Sequence, residues 1–364
     1  MSLVILGGAS SLLLPAVRDP WHALYGARWA YIFVLSGLIS FGLTPLLIRL
    51  AHLLELLDVP TARKVHMEPT PLLGGMAIYT AFGLSILANS ILDGQVVAIL
   101  AAGTVLVVIG ILDDAWDVPA GIKLLAQLLA VALVMRAGVM LTLFPPSMAG
   151  SIANAALTIV WLLGITNAMN FFDGMDGLAT GLSIITAAFL GFFAVLTFQP
   201  FLGWFAAAIV GSCLGFLPFN FHPRRPAAIF LGDGGSTFLG FVLAALAVKG
   251  DWAENGIIDI AVPILIFWVF IFDMTHITVA RIAAGKVWSF REWIAYVGRD
   301  HLHHRLAALM GSRRKAVVLI FLLSASMGMA AMALRGARTL EAVLLILQAA
   351  IIVVIVSILE HAGN

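Results

Sequence analysis

The segment 96–114 reads VVAILAAGTVLVVIGILDD, an apolar run that ends in the adjacent aspartates Asp113 and Asp114. As a helix rising about 1.5 Å per residue, a run of this length crosses the hydrocarbon core of a bilayer. Two carboxylates at its end repel each other and lose solvation unless a cation or a shared proton relieves them. The segment predicts a membrane span that carries acidic side chains to the membrane surface. An ordinary acidic pair at a helix end is the alternative.

The composition of the whole chain also indicates a membrane protein. Of its 364 residues, 62% are hydrophobic and 11% are charged, whereas soluble domains carry about 25% charged residues. The net charge of +1 gives no basic field for nucleic-acid binding. The single cysteine, Cys213, excludes an intrachain disulfide. We predict an all-α integral membrane protein in which residues 1–364 form a single polytopic domain.

Further apolar runs of about 17–23 residues recur along the chain and predict transmembrane helices. We expect about eleven such helices in total. They lie near residues 29–50, 72–92, 96–112, 122–141, 152–168, 178–198, 201–217, 236–249, 257–279, 316–334 and 340–359.

The loops between these runs differ in charge. Alternation places loops 51–71, 113–121, 169–177, 218–235 and 280–315 on one side, and these loops carry most of the lysines and arginines. The positive-inside rule then places this set in the cytoplasm and the N-terminus outside. Every polar cluster described below falls in or beside these loops, whereas a transporter more often places such groups near the middle of the membrane. The sequence therefore predicts catalytic loops at the cytoplasmic face.

A second polar cluster, NAMNFFDGMDG at 167–177, follows an apolar run. Asn170, Asp173 and Asp176 are spaced by three, so a helical turn places them on one side. The two glycines loosen the backbone and let a ligand approach closely. Amides and carboxylates in this position indicate a binding site, with a plain polar loop as the alternative.

A third cluster, FLGDGGS at 230–236, places Asp233 among glycines. Glycine amides approach phosphate oxygens closely, so the pattern suits a metal and a pyrophosphate, although Gly-Asp-Gly is also common in turns. Phe230 offers a ring for stacking on a base, or serves as an ordinary interfacial aromatic.

The fourth cluster is DHLHHRL at 300–306. His301, His303, His304 and Arg305 are types that bind phosphate or polarise a leaving group. A histidine-rich interface loop is the alternative. A zinc site is disfavoured because no cysteine is nearby.

Three further polar residues leave two interpretations open. Lys64 lies in a basic, turn-rich loop that suits phosphate or lipid headgroups, or simple positive-inside anchoring. Lys123 opens a span and either faces the aspartate pair or extends to the interface as an ordinary lysine. Asp273, inside a span, is a functional candidate by default, but a structural pairing with Arg281 is equally open.

Together, the four clusters in this order resemble those of the polyprenyl-phosphate N-acetylhexosamine-1-phosphate transferases. The resemblance extends from about Arg63 to Leu306. It implies that a polyprenyl phosphate attacks the β-phosphorus of a UDP-sugar in the presence of Mg²⁺, with Mn²⁺ as an alternative metal. UMP is released and a polyprenyl-pyrophosphoryl sugar is formed. The partners implied are UDP-N-acetylhexosamine, polyprenyl phosphate and membrane lipid, with a homodimer as an open alternative.

The resemblance also implies roles for individual residues. Asp233 and Asn170 match the metal ligands, and Asp113 and Asp114 match an essential pair near the lipid phosphate. The remaining matches are Lys123 after that pair, Asp173, Met175, Asp176 and Phe230 at the uridine site, and His301, His303 and His304 near the sugar and pyrophosphate.

The histidine segment favours one branch of this family. HLHHRL is similar to the loop of enzymes that use UDP-N-acetylglucosamine or a related hexosamine. The branch that uses UDP-MurNAc-pentapeptide typically has three consecutive histidines. We therefore expect a GlcNAc-1-phosphate transferase of the bacterial inner membrane, with phospho-MurNAc-pentapeptide transfer and membrane transport as alternatives.

Overall fold

The apolar runs of the sequence form helices in the described part of the chain. A computed structural model of the protein describes residues 2–23, 27–60, 68–253, 255–289, 292, 298, 300–337, 341, 343–345, 347–352 and 354. Within these ranges the only strands are an antiparallel pair, β1 (Leu57–Asp58) and β2 (Thr70–Pro71). The predicted all-α membrane architecture is therefore confirmed. The candidate site residue Lys64 lies outside the described residues.

The chain divides into two compact units, Met1–Gly250 and Asp251–Asn364. The helices of the first unit are α1 (Ser2–Leu12), α2 (Pro15–Ala23), α3 (Ala27–Leu53), α4 (Gly74–Ala88), α5 (Gly94–Trp116), α6 (Ala120–Arg136), α7 (Met148–Phe172), α8 (Leu178–Leu196), α9 (Pro200–Asn220) and α10 (Gly232–Lys249). The second unit contains α11 (Gly256–Ile266), α12 (Trp268–Ala283), α13 (Leu302–Met310) and α14 (Arg313–Arg335).

Six helices of the described chain are long and apolar enough to cross a membrane: α3, α5, α7, α8, α9 and α14. The number rises to eight if each of two bent pairs, α1–α2 and α11–α12, forms one span. Helices α4 and α6 coincide with predicted spans but have 15 and 17 residues. The predicted span 340–359 lies partly outside the described residues. The count of eleven stays a prediction.

Two features of the helices differ from the sequence prediction. The predicted span 257–279 is broken near Phe267, where α11 and α12 meet at a bend of 76°. Helices α1 and α2, which are bent by 60° and pack against α3, correspond to no predicted span. Hydropathy reports how apolar a segment is, so it contains no signal for a bend within an apolar run.

Helix α10 is the most enclosed helix of the first unit. It packs against α4, α5, α7 and α8, and every residue from Phe238 to Ala247 is buried. A helix that is apolar on all sides is stable only when neighbours cover it completely. The first turn of α10, which carries Asp233, is thereby fixed against the ends of α4, α5 and α7.

Candidate active site

Three charged side chains from separate helices meet at one end of the first unit. Asp113 lies in the last turn of α5, Lys123 in the first turn of α6 and Asp233 in the first turn of α10. The Lys123 Nζ is 2.8 Å from Asp113 Oδ2 and 3.8 Å from Asp233 Oδ2. Lys123 therefore faces the aspartates, and its ammonium group reduces the repulsion between two carboxylates.

Asp114 has a different environment from Asp113. Its Oδ1 accepts a hydrogen bond from the Asp233 backbone N–H at 3.2 Å, at the start of α10. Gly232, in the left-handed region at φ 76°, makes this approach feasible, because a Cβ there would lie 2.6 Å from Asp114 Oδ2. A carboxylate at a helix N-terminus satisfies an otherwise unpaired amide and favours the helix dipole. Asp114 thus holds the beginning of α10 in place.

Asn170 completes this group from the last turn of α7. Its Nδ2 donates to Asp233 Oδ1 and to Ser236 Oγ, both at 3.0 Å. The predicted metal pair, Asp233 and Asn170, is therefore in direct contact. We define the active-site cluster as Asp113, Asp114, Lys123, Asn170 and Asp233.

The oxygen donors of this cluster fit a magnesium ion bound together with a substrate. Among the described residues, no three His, Cys, Asp or Glu side chains converge as a ready-made metal cage. Mg²⁺ usually takes one or two carboxylates and completes its shell with water and substrate phosphates. Asp233 and Asn170 offer hard oxygen donors of this kind.

One turn deeper, an amide pair joins the two helices that carry Lys123 and Asn170. Gln127 Nε2 donates to Asn167 Oδ1 at 3.2 Å, and Asn167 Nδ2 donates to Gln127 Oε1 at 2.9 Å. These residues lie four positions after Lys123 and three before Asn170, so each pair shares a helix face. Sequence analysis overlooks Gln127, although an isolated amide one turn after Lys123 in an apolar run is the signal that indicates it.

We predict that Gln127→Leu lowers the stability of the protein by about 1–2 kcal/mol, because hydrogen bonds between membrane helices contribute about 0.6 kcal/mol each and at most about 1.7. The variant also leaves part of the Asn167 amide unpaired. Thermal unfolding of the purified protein measures the loss. The double variant Gln127→Leu/Asn167→Leu should recover part of it, and an additive loss would contradict a pairwise interaction.

The residues predicted for the uridine site lie near the active-site cluster in sequence and structure. Asp173 caps α7, and burial, followed by the charges of Asp233 and Asp114, raises its pKa well above the usual range. A protonated carboxyl can donate a hydrogen bond, which an ionised one cannot. Asp176 Oδ2 accepts the Ala227 backbone N–H at 3.0 Å and so ties down the loop after α9.

Met175 and Phe230 have less direct support as ligand contacts. Met175 is buried. The backbone of Phe230 is fixed, with its N–H donating to Pro71 at 2.8 Å and its carbonyl accepting from Gly74 at 3.1 Å. Together with the bond from Gly75 to Leu231 at 2.7 Å, these contacts show that the Gly74-Gly75 pair docks the loop before α10.

The histidine segment of the second unit surrounds the start of α13. His301 is the N-cap residue, and the rings of His303 and His304 lie 4.2 Å apart between centroids. Burial, and next the neighbouring His304 and His301, lower the pKa of His303 well below its usual range. His303 is therefore neutral at pH 7. Arg305 Nη1 lies 2.9 Å from His276 Nδ1.

Asp273 and Arg281 both contact the histidine segment. Asp273 Oδ2 lies 2.8 Å from His301 Nδ1, and Oδ1 accepts the Leu302 N–H at 2.6 Å. Arg281 instead donates two hydrogen bonds to Asp300, at 2.8 and 2.7 Å, and holds the Asp300 pKa below its usual range. These hydrogen bonds of both side chains therefore lead to residues 300–302, and a direct Asp273–Arg281 pairing stays a prediction.

The helical membrane fold and the carboxylate–lysine–amide cluster suit a membrane-bound phosphoryl transferase. Comparison with known proteins agrees with this class. The family profile described as glycosyl transferase family 4 matches residues 96–251, which contain the whole active-site cluster. The chain is 33% identical to a probable undecaprenyl-phosphate N-acetylglucosaminyl 1-phosphate transferase of Bacillus subtilis (strain 168), covering 85% of this chain and 86% of the relative.

Two further relatives have names of the same kind. A decaprenyl-phosphate N-acetylglucosaminephosphotransferase of Mycobacterium leprae is 33% identical, with 80% of each chain covered. An undecaprenyl-phosphate alpha-N-acetylglucosaminyl 1-phosphate transferase of Escherichia coli (strain K12) is 29% identical, with 76% of each chain covered. The chain therefore belongs to glycosyl transferase family 4, in its polyprenyl-phosphate N-acetylglucosamine-1-phosphate transferase branch.

Proposed function

We propose that the protein transfers N-acetylglucosamine 1-phosphate from UDP-N-acetylglucosamine to undecaprenyl phosphate. UMP is released, and the resulting undecaprenyl-pyrophosphoryl sugar primes the synthesis of a cell-envelope polysaccharide. The observation that carries the proposal is the active-site cluster, in which Lys123 faces Asp113 and Asp233 while Asn170 binds Asp233. The names of the relatives support the sugar and the lipid.

The side chains of the cluster suit phosphoryl transfer, which depends mainly on positioning and charge neutralisation. Lys123 supplies a cation for a phosphate, and Asp113 fixes its position through the 2.8 Å contact. Asp114 keeps Asp233 at the start of α10 through the backbone bond. These contacts favour an orienting role for Asp113 and Asp114 over a role as base or nucleophile, with direct attack by the lipid phosphate.

Magnesium is part of the proposal. Asp233 and Asn170 would hold Mg²⁺, or Mn²⁺ in its place, and the bound ion would supply charge neutralisation on the pyrophosphate. His301, His303, His304 and Arg305 are proposed to contact the sugar and pyrophosphate. Asp173, Met175, Asp176 and Phe230 are proposed for the uridine, and Lys64 for a phosphate or lipid headgroup.

The membrane placement is proposed from charge and hydropathy. We infer about eleven spans, an external N-terminus and catalytic loops that face the cytoplasm of a bacterial inner membrane. Residues 1–364 are proposed to act as one transferase domain, either alone or as a homodimer.

The experiment is a donor panel. Purified protein is incubated with undecaprenyl phosphate, MgCl₂ and one of several UDP-sugars: UDP-GlcNAc, UDP-GalNAc, UDP-glucose or UDP-MurNAc-pentapeptide. We expect UMP release with UDP-GlcNAc that requires the lipid and stops when EDTA is added. Preference for UDP-MurNAc-pentapeptide would support the other branch of the family. Solute flux into proteoliposomes without UMP release would support a transporter and overturn the proposal.

A further inference from the structure

We propose that Asp273 is a positioning residue that fixes the tautomer and orientation of His301 for the transfer reaction. The inference rests on the proposed function, because it takes His301 as a residue that contacts the substrate. It goes further in giving a role to a buried carboxylate that sequence analysis leaves between a functional and a structural interpretation.

Asp273 is enclosed and makes directional contacts with the histidine segment. Its side chain is 0% exposed. Its two oxygens contact different groups. Oδ2 lies 2.8 Å from His301 Nδ1, whereas Oδ1 accepts the Leu302 N–H at 2.6 Å and lies 3.9 Å from Arg305 Nη2. An unpaired buried carboxylate is costly, so these contacts account for its presence inside α12.

The contact with His301 determines which ring nitrogen carries a proton. An ionised carboxylate only accepts hydrogen bonds, so His301 Nδ1 must be the donor. A neutral His301 then has its lone pair on Nε2. A histidine held in this way presents a defined nitrogen that binds a proton and, once protonated, donates a hydrogen bond to a phosphate oxygen. The Leu302 contact fixes the backbone beside the ring, so Asp273 controls both tautomer and position.

A second contact anchors the same segment without touching a histidine ring. Arg281, two turns after Asp273 on α12, donates two hydrogen bonds to Asp300. Helix α12 therefore holds residues 300–302 at two points. The Arg281–Asp300 pair attaches the segment to α12. Only the Asp273 contact reaches the ring of His301 and affects its protonation.

The substitution Asp273→Asn separates these effects. Asparagine has nearly the same size and can still accept the Leu302 N–H through its carbonyl oxygen. Its amide group then faces His301 Nδ1 and, as a donor, favours the opposite tautomer. The variant keeps the cap of α13 but moves the His301 proton to Nε2. It also removes the negative charge 3.9 Å from Arg305 Nη2, so the tautomer itself is read by NMR as well as through activity.

The experiment measures UMP release by the full-length protein at saturating donor and lipid. We expect Asp273→Asn to lower kcat by about 10- to 100-fold, in the range found for groups that orient a functional histidine, with an unchanged unfolding temperature. His301→Gln should lower kcat at least as much. The double variant should be no worse than His301→Gln alone, because Asp273 acts through that ring. Near-normal activity of Asp273→Asn, or multiplicative losses in the double variant, would overturn the proposal.

The matched control is Asp259→Asn. Asp259 accepts backbone N–H groups of Trp252 and Ala253 in the same unit, and within the described part of the chain it has no hydrogen bond to a histidine. The activity of the Asp259→Asn variant should stay close to that of the unmodified protein. ¹⁵N NMR of labelled histidine provides a readout that does not depend on activity. We expect His301 to be protonated at Nδ1, and at Nε2 in Asp273→Asn. If the unmodified protein releases no UMP from any donor, the proposed function fails, while the NMR result still decides the tautomer.

Discussion

Asp233→Ala should lower kcat for UMP release by about 10³-fold, the largest effect expected for any single side chain of the active-site cluster. Loss of the proposed metal and phosphate contact would remove several kcal/mol of charge stabilisation, and about 4 kcal/mol corresponds to 10³-fold in rate. The Asp233 carboxylate contacts both Asn170 and Lys123. Its removal therefore deprives two proposed substrate-binding groups of their common partner.

The measurement is kcat at increasing MgCl₂ concentration, with the unfolding temperature recorded in parallel. The matched control is Asp93→Asn. Asp93 also lies at a helix N-terminus and binds a lysine, since Lys249 Nζ is 3.0 Å from Asp93 Oδ2. It lies at the start of α5, whereas the active-site cluster contains Asp113 from the end of α5. Asparagine is also a good N-cap residue, so this variant should retain activity. Full magnesium-dependent turnover by Asp233→Ala would exclude Asp233 as a metal ligand.

The variant Asp233→Asn tests whether the loss of kcat comes from the charge of the side chain or from its shape. The substitution keeps the size of the side chain but removes the negative charge. We attribute the loss mainly to charge, so Asp233→Asn should be almost as inactive as Asp233→Ala. A variant close to full activity would show that Asp233 acts chiefly as an acceptor for Asn170.

The sequence indicates the polar side chains of this cluster better than it indicates the contacts that hold them together. Asp113, Asn170 and Asp233 stand out because polar residues at the ends of apolar runs have few packing roles. Their convergence follows from the helix ends, which alternation places on one side of the membrane. The prediction therefore depends on hydropathy and spacing, both of which are properties of the local sequence.

The supporting contacts depend on distant pairings that have no local signal. Asp273 has its partners 28 and 29 positions further along the chain, so neither spacing nor charge could distinguish them from Arg281, which lies on the same helix. Asp114 resembles Asp113 in sequence, yet it caps α10 while Asp113 binds Lys123. Only the packing of α10 against α5 gives the two aspartates different roles.

The glycines around Asp233 also have a structural role that the sequence does not indicate. The sequence indicates close approach of a phosphate to their amides. In the structure, Gly234 and Gly235 allow close approach of neighbouring helices. A Cβ on Gly110 of α5 would lie 2.2 Å from Gly234 Cα, and a Cβ on Gly75 of α4 would lie 2.2 Å from Gly235 Cα. Small residues permit this kind of backbone contact between membrane helices.

Gly110→Ala is therefore expected to lower kcat by about 10²-fold, although the residue is apolar and makes no contact with substrate in the proposed mechanism. The new methyl group meets backbone atoms of Gly234, which cannot rotate away as a side chain can. Helix α10 must shift relative to α5, and a displacement of about 1 Å at a catalytic group can cost 10²-fold. Asp233 would then move away from Asp114 and Lys123.

The effect of the close contact can be separated from that of helix propensity by measuring the unfolding free energy and by comparing a second glycine-to-alanine variant. Alanine is better than glycine inside a helix by about 1 kcal/mol. Apart from the chain neighbours and backbone of α7 itself, no described atom lies within 4 Å of a Cβ at Gly164, so Gly164→Ala should be neutral or stabilising and keep full activity. Gly110→Ala should instead lower the free energy of unfolding by about 1–3 kcal/mol, as overpacking does. If Gly110→Ala were as active and stable as Gly164→Ala, the close contact between α5 and α10 would not determine where Asp233 lies, and the cluster would have to be held by its polar contacts alone.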